Sequence, residues 1–276
     1  MSGKSIFERL QFIDRRIIYW TLLILIMLPF IRPFGLPVTI TKQSVDVFNE
    51  VKSVKEGEVV LIDLFITPAT WSELLGGTSA IIKTFINQKV KMVFVSPLVD
   101  IGVTWDRINA LVPELKQLKY GEDYVFLGFY AGGEAAAAEM AKDIRRVFPA
   151  DYYGTPTEKI PLIMKANKAE DFRLMVGTGE QIEKFIYHWS IPHGTTIVMM
   201  AHSMAGSTLM PYYLSGNLKG LAVGVRGGAE LEKLTGFLGD ATIRMDAINI
   251  THILFVALII LANVGYTITR TRLRRM

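Results

Sequence analysis

Residues 197–213 read IVMMAHSMAGSTLMPYY, an apolar run that passes into His202-Ser203-Met204-Ala205-Gly206. This is close to the Gly-x-Ser-x-Gly turn on which α/β-hydrolases raise a nucleophilic serine above a sheet. Ala201, Ala205 and Gly206 supply the small neighbours such a turn requires. A hydrolase would also need an acid and then a histidine downstream. Asp240 or Glu230 offers the acid, but the histidine after Ser203 is His252, inside an apolar stretch. His188 and His193 come earlier. His202 adjoins Ser203, so on a strand their side chains diverge. The alternative is a serine near the N-cap of a helix starting about Gly206. The pattern favours the cap, with Ser203 the residue on which any catalytic reading rests.

Phosphate chemistry has two candidate turns. In VGTGEQIEKF, Val176 to Phe185, Gly177 and Gly179 follow a predicted strand and open a predicted helix, where amides could face an anion. The dinucleotide fingerprint needs a third glycine at 182, and Ile182 stands there; Glu180 puts a carboxylate where a phosphate would rest. A plain tight turn is the default. Gly132 and Gly133 repeat the arrangement before Glu134, where glycine permits close approach of a ligand or of a helix. Metal chemistry finds less. The four histidines are scattered, and none pairs with a carboxylate at ligand spacing. Glu180 and Glu183 read as a solvated helix face, and Glu230 and Glu232 point to different sides of a helix. No metal and no cofactor is expected.

The elements that would position these residues alternate. Predicted strands are 58–66, 90–97, 123–130, 172–179 and 195–203; predicted helices are 71–88, 105–119, 131–148 and 180–190. Near-continuous apolar strands separated by helices imply a parallel sheet covered on both faces. The fold class is therefore α/β, a Rossmann-like, doubly wound three-layer domain with right-handed crossovers. Thr67, Ser96, Gly132, Gly177 and Ser203 fall at carboxyl ends of predicted strands, with Gly133, Gly179 and Gly206 beside them. In open α/β sheets ligands bind along that edge, and fold analogy makes it the expected small-molecule site. The polar, proline-bearing 149–171 reads as a surface excursion. The glycine-rich 214–236 reads either as a last strand, GLAVGV, turning into a helix, or as a glycine-weakened helix packed closely on a neighbour.

Half of the residues are hydrophobic, and two apolar stretches account for much of this. Residues 247–269 contain no Asp, Glu, Lys or Arg and would rise about 34 Å as a helix, enough for a hydrocarbon core of about 30 Å. Residues 17–31 give only about 22 Å and need 32–37 to continue the apolar path. No small-residue cleavage site follows, so an uncleaved anchor is expected in place of a signal peptide. Lys4, Arg9, Arg15 and Arg16 precede the first stretch, and Arg270, Arg272, Arg274 and Arg275 follow the second. Charge counting then makes both termini cytoplasmic in an inner-membrane protein. The expected order is a basic cytoplasmic 1–16, a first span 17–37, an extracytoplasmic α/β domain 38–246, a second span 247–269 and a basic cytoplasmic tail 270–276. Cysteine is absent, which excludes disulfides and thiolate metal sites. The net charge of +4 owes much to the terminal arginines and points to lipid headgroups, not nucleic acid.

Asn249, His252 and Asn263 share one stripe of the second span, where polar groups tend to face protein. The partner could be the first span, another copy or a different protein. Pro211-Tyr212-Tyr213, Ser215-Gly216, Gly220-Leu221, Gly224, Arg226-Gly227 and Ala229-Glu230, with the FPADYYGTP stretch, resemble an uncharacterised family of prokaryotic two-span membrane proteins. That resemblance implies the architecture and carries no chemistry. The first functional expectation is a non-enzymatic, membrane-anchored scaffold or assembly subunit, since no complete catalytic constellation is present. The second is a ligand-binding or sensory domain using the strand-end edge, and the third a serine hydrolase through Ser203.

Overall fold

The computed structural model describes residues 14–273. Lys4, Arg9, Arg274 and Arg275, on which part of the charge count rests, lie outside them. The chain divides into two compact units. One is Val38–Thr242; the other joins the terminal segments, up to Pro37 and from Ile243.

The larger unit is α/β. Its six strands are β1 (Val59–Asp63), β2 (Lys91–Ser96), β3 (Tyr124–Phe129), β4 (Phe172–Gly179), β5 (Thr196–Ala201) and β6 (Gly220–Val223). All are parallel, in the order β3-β2-β1-β4-β5-β6. The strands are apolar on both sides because both faces are covered, and alternate residues divide between two cores. Val60 and Ile62 face α2 (Lys42–Ser53), α3 (Trp71–Asn87), α4 (Ile101–Leu111) and α10 (Gly224–Thr235), through residues such as Val47, Phe85, Trp105 and Leu231. Val59 and Leu61 belong to the other core, with α5 (Gly133–Lys142), α7 (Glu183–Phe185) and α9 (Gly206–Leu214). A π-helical turn, Ile186–Ser190, continues α7 into α8 (Ile191–His193), and its Trp189 donates to the Ala137 carbonyl at 2.9 Å.

Three local expectations change. The helix expected over 105–119 begins at Ile101 and stops at Leu111, two residues before Pro113, because a proline disfavours helix before it. The excursion 149–171, which includes α6 (Pro161–Lys165), is packed and not merely superficial. Ile160, Leu162 and Ile163 are buried, Asp151 is buried and accepts from Tyr120, and Tyr152 lies on Phe126 with ring centroids 4.7 Å apart. The glycine-rich segment combines both of its readings. It forms β6 and then α10, and a Cβ on Gly77 of α3 would stand 3.0 Å from the Gly228 Cα, so these two helices approach as only glycines allow. Helix α2, amphipathic and capped by Thr41, has no counterpart among the predicted elements.

The terminal unit contains α1 (Arg15–Ile31) and most of α11 (Asp240–Leu273). Among the described residues one helix is long and apolar enough to cross a membrane, α11 over Asp240–Thr271. At 17 residues, α1 rises about 25 Å. The Asp246 carboxylate accepts three successive amides, from Phe34 at 2.7 Å, Gly35 at 2.8 Å and Leu36 at 2.8 Å. In the larger unit, buried Glu232 takes the amides of Gly239, Ala241 and Thr242 and the Thr242 hydroxyl. It thereby satisfies the orphan donors at the start of α11.

Candidate functional site

The strand order reverses between β1 and β4, where an open parallel sheet forms its crevice at the carboxyl ends. Asp63, the last residue of β1, lies there and is buried. Burial pushes its carboxyl up to about 6, against the opposing pull of Lys184 and Tyr130. Tyr130, just past β3, donates its hydroxyl to Asp63 Oδ1 at 3.1 Å. Burial first, and the Asp63 charge second, hold that phenol far above its ordinary range. Lys184 of α7 brings Nζ to 3.7 Å from Asp63 Oδ2, and its side chain is 8 % exposed. The separation is an ion pair without a hydrogen bond. Nζ also lies 4.9 Å from the Tyr130 ring centroid and 5.3 Å from that of Phe185, a desolvated cation against two π-faces. No hydrogen-bond acceptor meets this ammonium, which carries three donors. Thr178 ties the strands beneath, donating to the Asp63 carbonyl at 2.9 Å and accepting from the Phe65 amide at 2.8 Å.

The Ser203 turn lies on the same edge, at β5. Glu73, in the first turn of α3, accepts the Ser203 amide at 2.8 Å and the Ser203 hydroxyl on one oxygen. Its other oxygen is 3.4 Å from His202 Nε2. His202 Nδ1 accepts the Met204 amide, the His202 carbonyl accepts that of Ala205, and the Ser203 carbonyl that of Gly206. Each amide from 203 to 206 is thus engaged, and none is left to face an oxyanion. Ser203 opens a 3₁₀ turn without strain: among described non-glycine residues only Lys89 has positive φ. Its hydroxyl donates to a carboxylate, with no histidine placed to take its proton. His188 meets Glu134 at 3.1 Å and His193 meets Glu170 at 2.7 Å. Glu230 takes the Thr41 amide and hydroxyl and the Arg226 guanidinium. Asp240 begins α11, and His252 lies further along it.

The other edge residues divide between filled and open positions. A Cβ on Gly177 would meet Ile182 Cδ1 at 2.3 Å, so the side chain at the fingerprint's third position fills the space above the first glycine. Gly179, at φ +86°, lies under the Phe65 carbonyl, and Gly206 lies against Val223. Ser96 is buried, donating to the Leu64 carbonyl at 2.7 Å and accepting from the Leu98 amide. Thr67 caps the turn Pro68–Thr70. Gly132 and Gly133 differ: both have positive φ, and nothing stands within 4 Å of a Cβ on Gly133. They come after Tyr130 and Ala131 and open α5, whose exposed Glu134 meets His188, one turn along from Lys184. Gly132 and Gly133 thus open the helix that follows Tyr130, while Thr67, Ser96 and Gly206 have local structural roles.

A cavity of about 280 Å³ lies elsewhere, lined by Thr41, Met210, Val223, Arg226 and Glu230 among others, with its carboxylate already engaged. Among the described residues no group of three or more His, Cys, Asp or Glu is arranged to hold a metal ion. Asn249, His252 and Asn263 all lie on α11, and the Asn263 amide donates to the Ile259 carbonyl at 2.8 Å.

Asp63, Tyr130, Lys184 and Glu73 were not among the residues singled out from the sequence. One signal was present: Asp63 stands within the apolar run VVLIDLFI, where a charge requires a partner. No family model, curated protein or solved structure matches the chain.

Proposed function

We propose that the chain is a membrane-anchored protein whose α/β domain binds a small ligand at the carboxyl edge of its sheet, between β1 and β4, in a binding or sensory role. The observation that carries this reading is Lys184: a buried ammonium with no hydrogen-bond acceptor, at the crevice where such sheets take ligands. An unmade hydrogen bond to a buried charge is costly, and a ligand oxygen would supply the missing acceptor.

The strand order and the two covered faces support a Rossmann-like, doubly wound classification. The length and composition of α11 support an anchor. On the basic flanks, α1 is a second span, both termini are cytoplasmic and the domain is extracytoplasmic. Ser203 is assigned no catalytic role, because its hydroxyl and the amides of its turn are engaged.

The test is thermal denaturation of the detergent-solubilised full chain against a library of oxygen-rich metabolites. A ligand bound only to the folded state raises Tm. The expected result is a stabilising compound that binds a folded Lys184→Met variant about ten- to a hundredfold more weakly, the worth of one hydrogen bond to a charge. No shift with any compound, or equal binding to the variant, overturns the assignment.

A second reading, an assembly subunit that packs with other membrane chains, is favoured by one observation. His252 and Asn263 are exposed on a helix otherwise suited to lipid.

A further inference from the structure

Helix α11 has two sides. At about 100° per residue, Asn249, His252 and Asn263 fall within a sector of about 60°. Within the span the partly or fully covered residues Thr251, Leu254, Leu258, Gly265 and Thr269 occupy a similar sector, centred nearly opposite. Helix α1 likewise has one covered side, with Ile18, Leu22, Leu25 and Pro29 at three- and four-residue spacing. The seam that this chain covers for itself is thus the apolar and small-residue side of α11. The polar stripe faces away, with His252 and Asn263 exposed and only Asn249, near the start, half covered.

The Asn263 carboxamide satisfies one donor on the Ile259 carbonyl, but its remaining N–H and oxygen, like the exposed His252 imidazole, need partners that lipid does not offer. We infer that the stripe Asn249–His252–Asn263 is the surface through which two copies of this chain associate in the membrane. The occupant follows from chemistry and symmetry. Copies inserted in one direction pair in parallel about a two-fold axis, so each stripe residue meets its own counterpart. Asparagine carries both donor and acceptor, and an imidazole has two ring nitrogens that can take these roles, so each of these residues can pair with its own counterpart. Val256 and Ile260 continue the stripe between the polar positions at near-heptad spacing, giving apolar packing to a shallow left-handed crossing. A foreign helix would need its own matching pattern, whereas a second copy already has it.

This inference rests on α11 being a span, and the experiment separates the two. Carbonate extraction of native membranes tests the span: release of the wild-type chain overturns the span and this proposal with it. The chain contains no cysteine, so a single introduced thiol reports one position. With the protein retained in the membrane, oxidation of Val256→Cys should give a disulfide-linked band at twice the chain mass. Leu258→Cys, on the covered seam, should give none. Adding Asn249→Leu, His252→Leu and Asn263→Leu to Val256→Cys should abolish the band. No Val256→Cys dimer, a dimer that survives the triple substitution, equal cross-linking from Leu258→Cys, or a cross-link to a chain of different mass overturns association through this face.

Discussion

At the β5 end of the sheet, Glu73, His202 and Ser203 form an exposed to half-exposed cluster in which each polar group has a partner. At the β1 end, Asp63, Tyr130 and Lys184 form a buried cluster in which the ammonium lacks an acceptor. The first has the look of a motif, but the hydroxyl and amide donors of its turn are already engaged. The second matches no motif and keeps its donors. What decides a site's capacity on this edge is the state of its hydrogen bonds, and a local sequence pattern does not report that.

The contrast can be broken most directly at Lys184. Lys184→Met leaves Asp63 buried without its cation and should cost about 3–5 kcal/mol at about pH 8, measured by chemical denaturation of the solubilised chain. The cost should shrink near pH 5, where Asp63 holds a proton. A small, pH-independent cost would mean that the two residues are not an ion pair.

Asp63 itself gives a smaller effect of defined sign. Its folded pKa, about 6, stands above the ordinary 3.8, so the folded state holds the extra proton. The stability this proton contributes is fully present below about pH 4 and is lost as pH rises through about 6. The displacement from 3.8 to about 6 is worth about 3 kcal/mol. Wild-type stability measured relative to Asp63→Asn should therefore fall by about that amount between pH 4 and pH 7. A flat difference would place Asp63 in contact with water.

The smallest effect is expected at the motif. Ser203→Ala removes one hydroxyl donor from Glu73 and leaves the Ser203 amide in place, so it should cost about 1 kcal/mol or less. A fluorophosphonate probe should leave Ser203 unlabelled. Labelling that disappears in Ser203→Ala would reverse the comparison and make the β5 cluster the reactive one.

Much of the fold was legible because burial on both faces writes strands as apolar runs. The expected strand 172–179 coincides with β4, and β1, β2, β3 and β5 lie within their expected ranges. Helix α2 is amphipathic, but its apolar face is short, chiefly Val47, Phe48 and Val51 among polar residues, and does not stand out in the sequence. The site was less legible. Asp63 and Lys184 are far apart in sequence, and only the β1–β4 pairing and the descent of α7 bring them together. Gly177, Gly179 and Gly206 stand at or just past strand ends, and their lack of a side chain serves packing against Ile182, Phe65 and Val223. Glycine at a strand end marks close approach, but the sequence does not say whether the approaching group is a ligand or the protein itself.

The three amides held by Asp246 belong to residues 210, 211 and 212 positions earlier in the chain. Contacts of such separation carry the largest loop-closure entropy and tend to form late. On the ribosome the segment 34–36 is made long before its acceptor exists, and the whole α/β domain is synthesised in between. The terminal unit can close only after residue 246 has been made. A nascent chain stopped before Asp246 therefore leaves this segment unclasped, and the clasp distinguishes a chain that has passed residue 246 from one that has not.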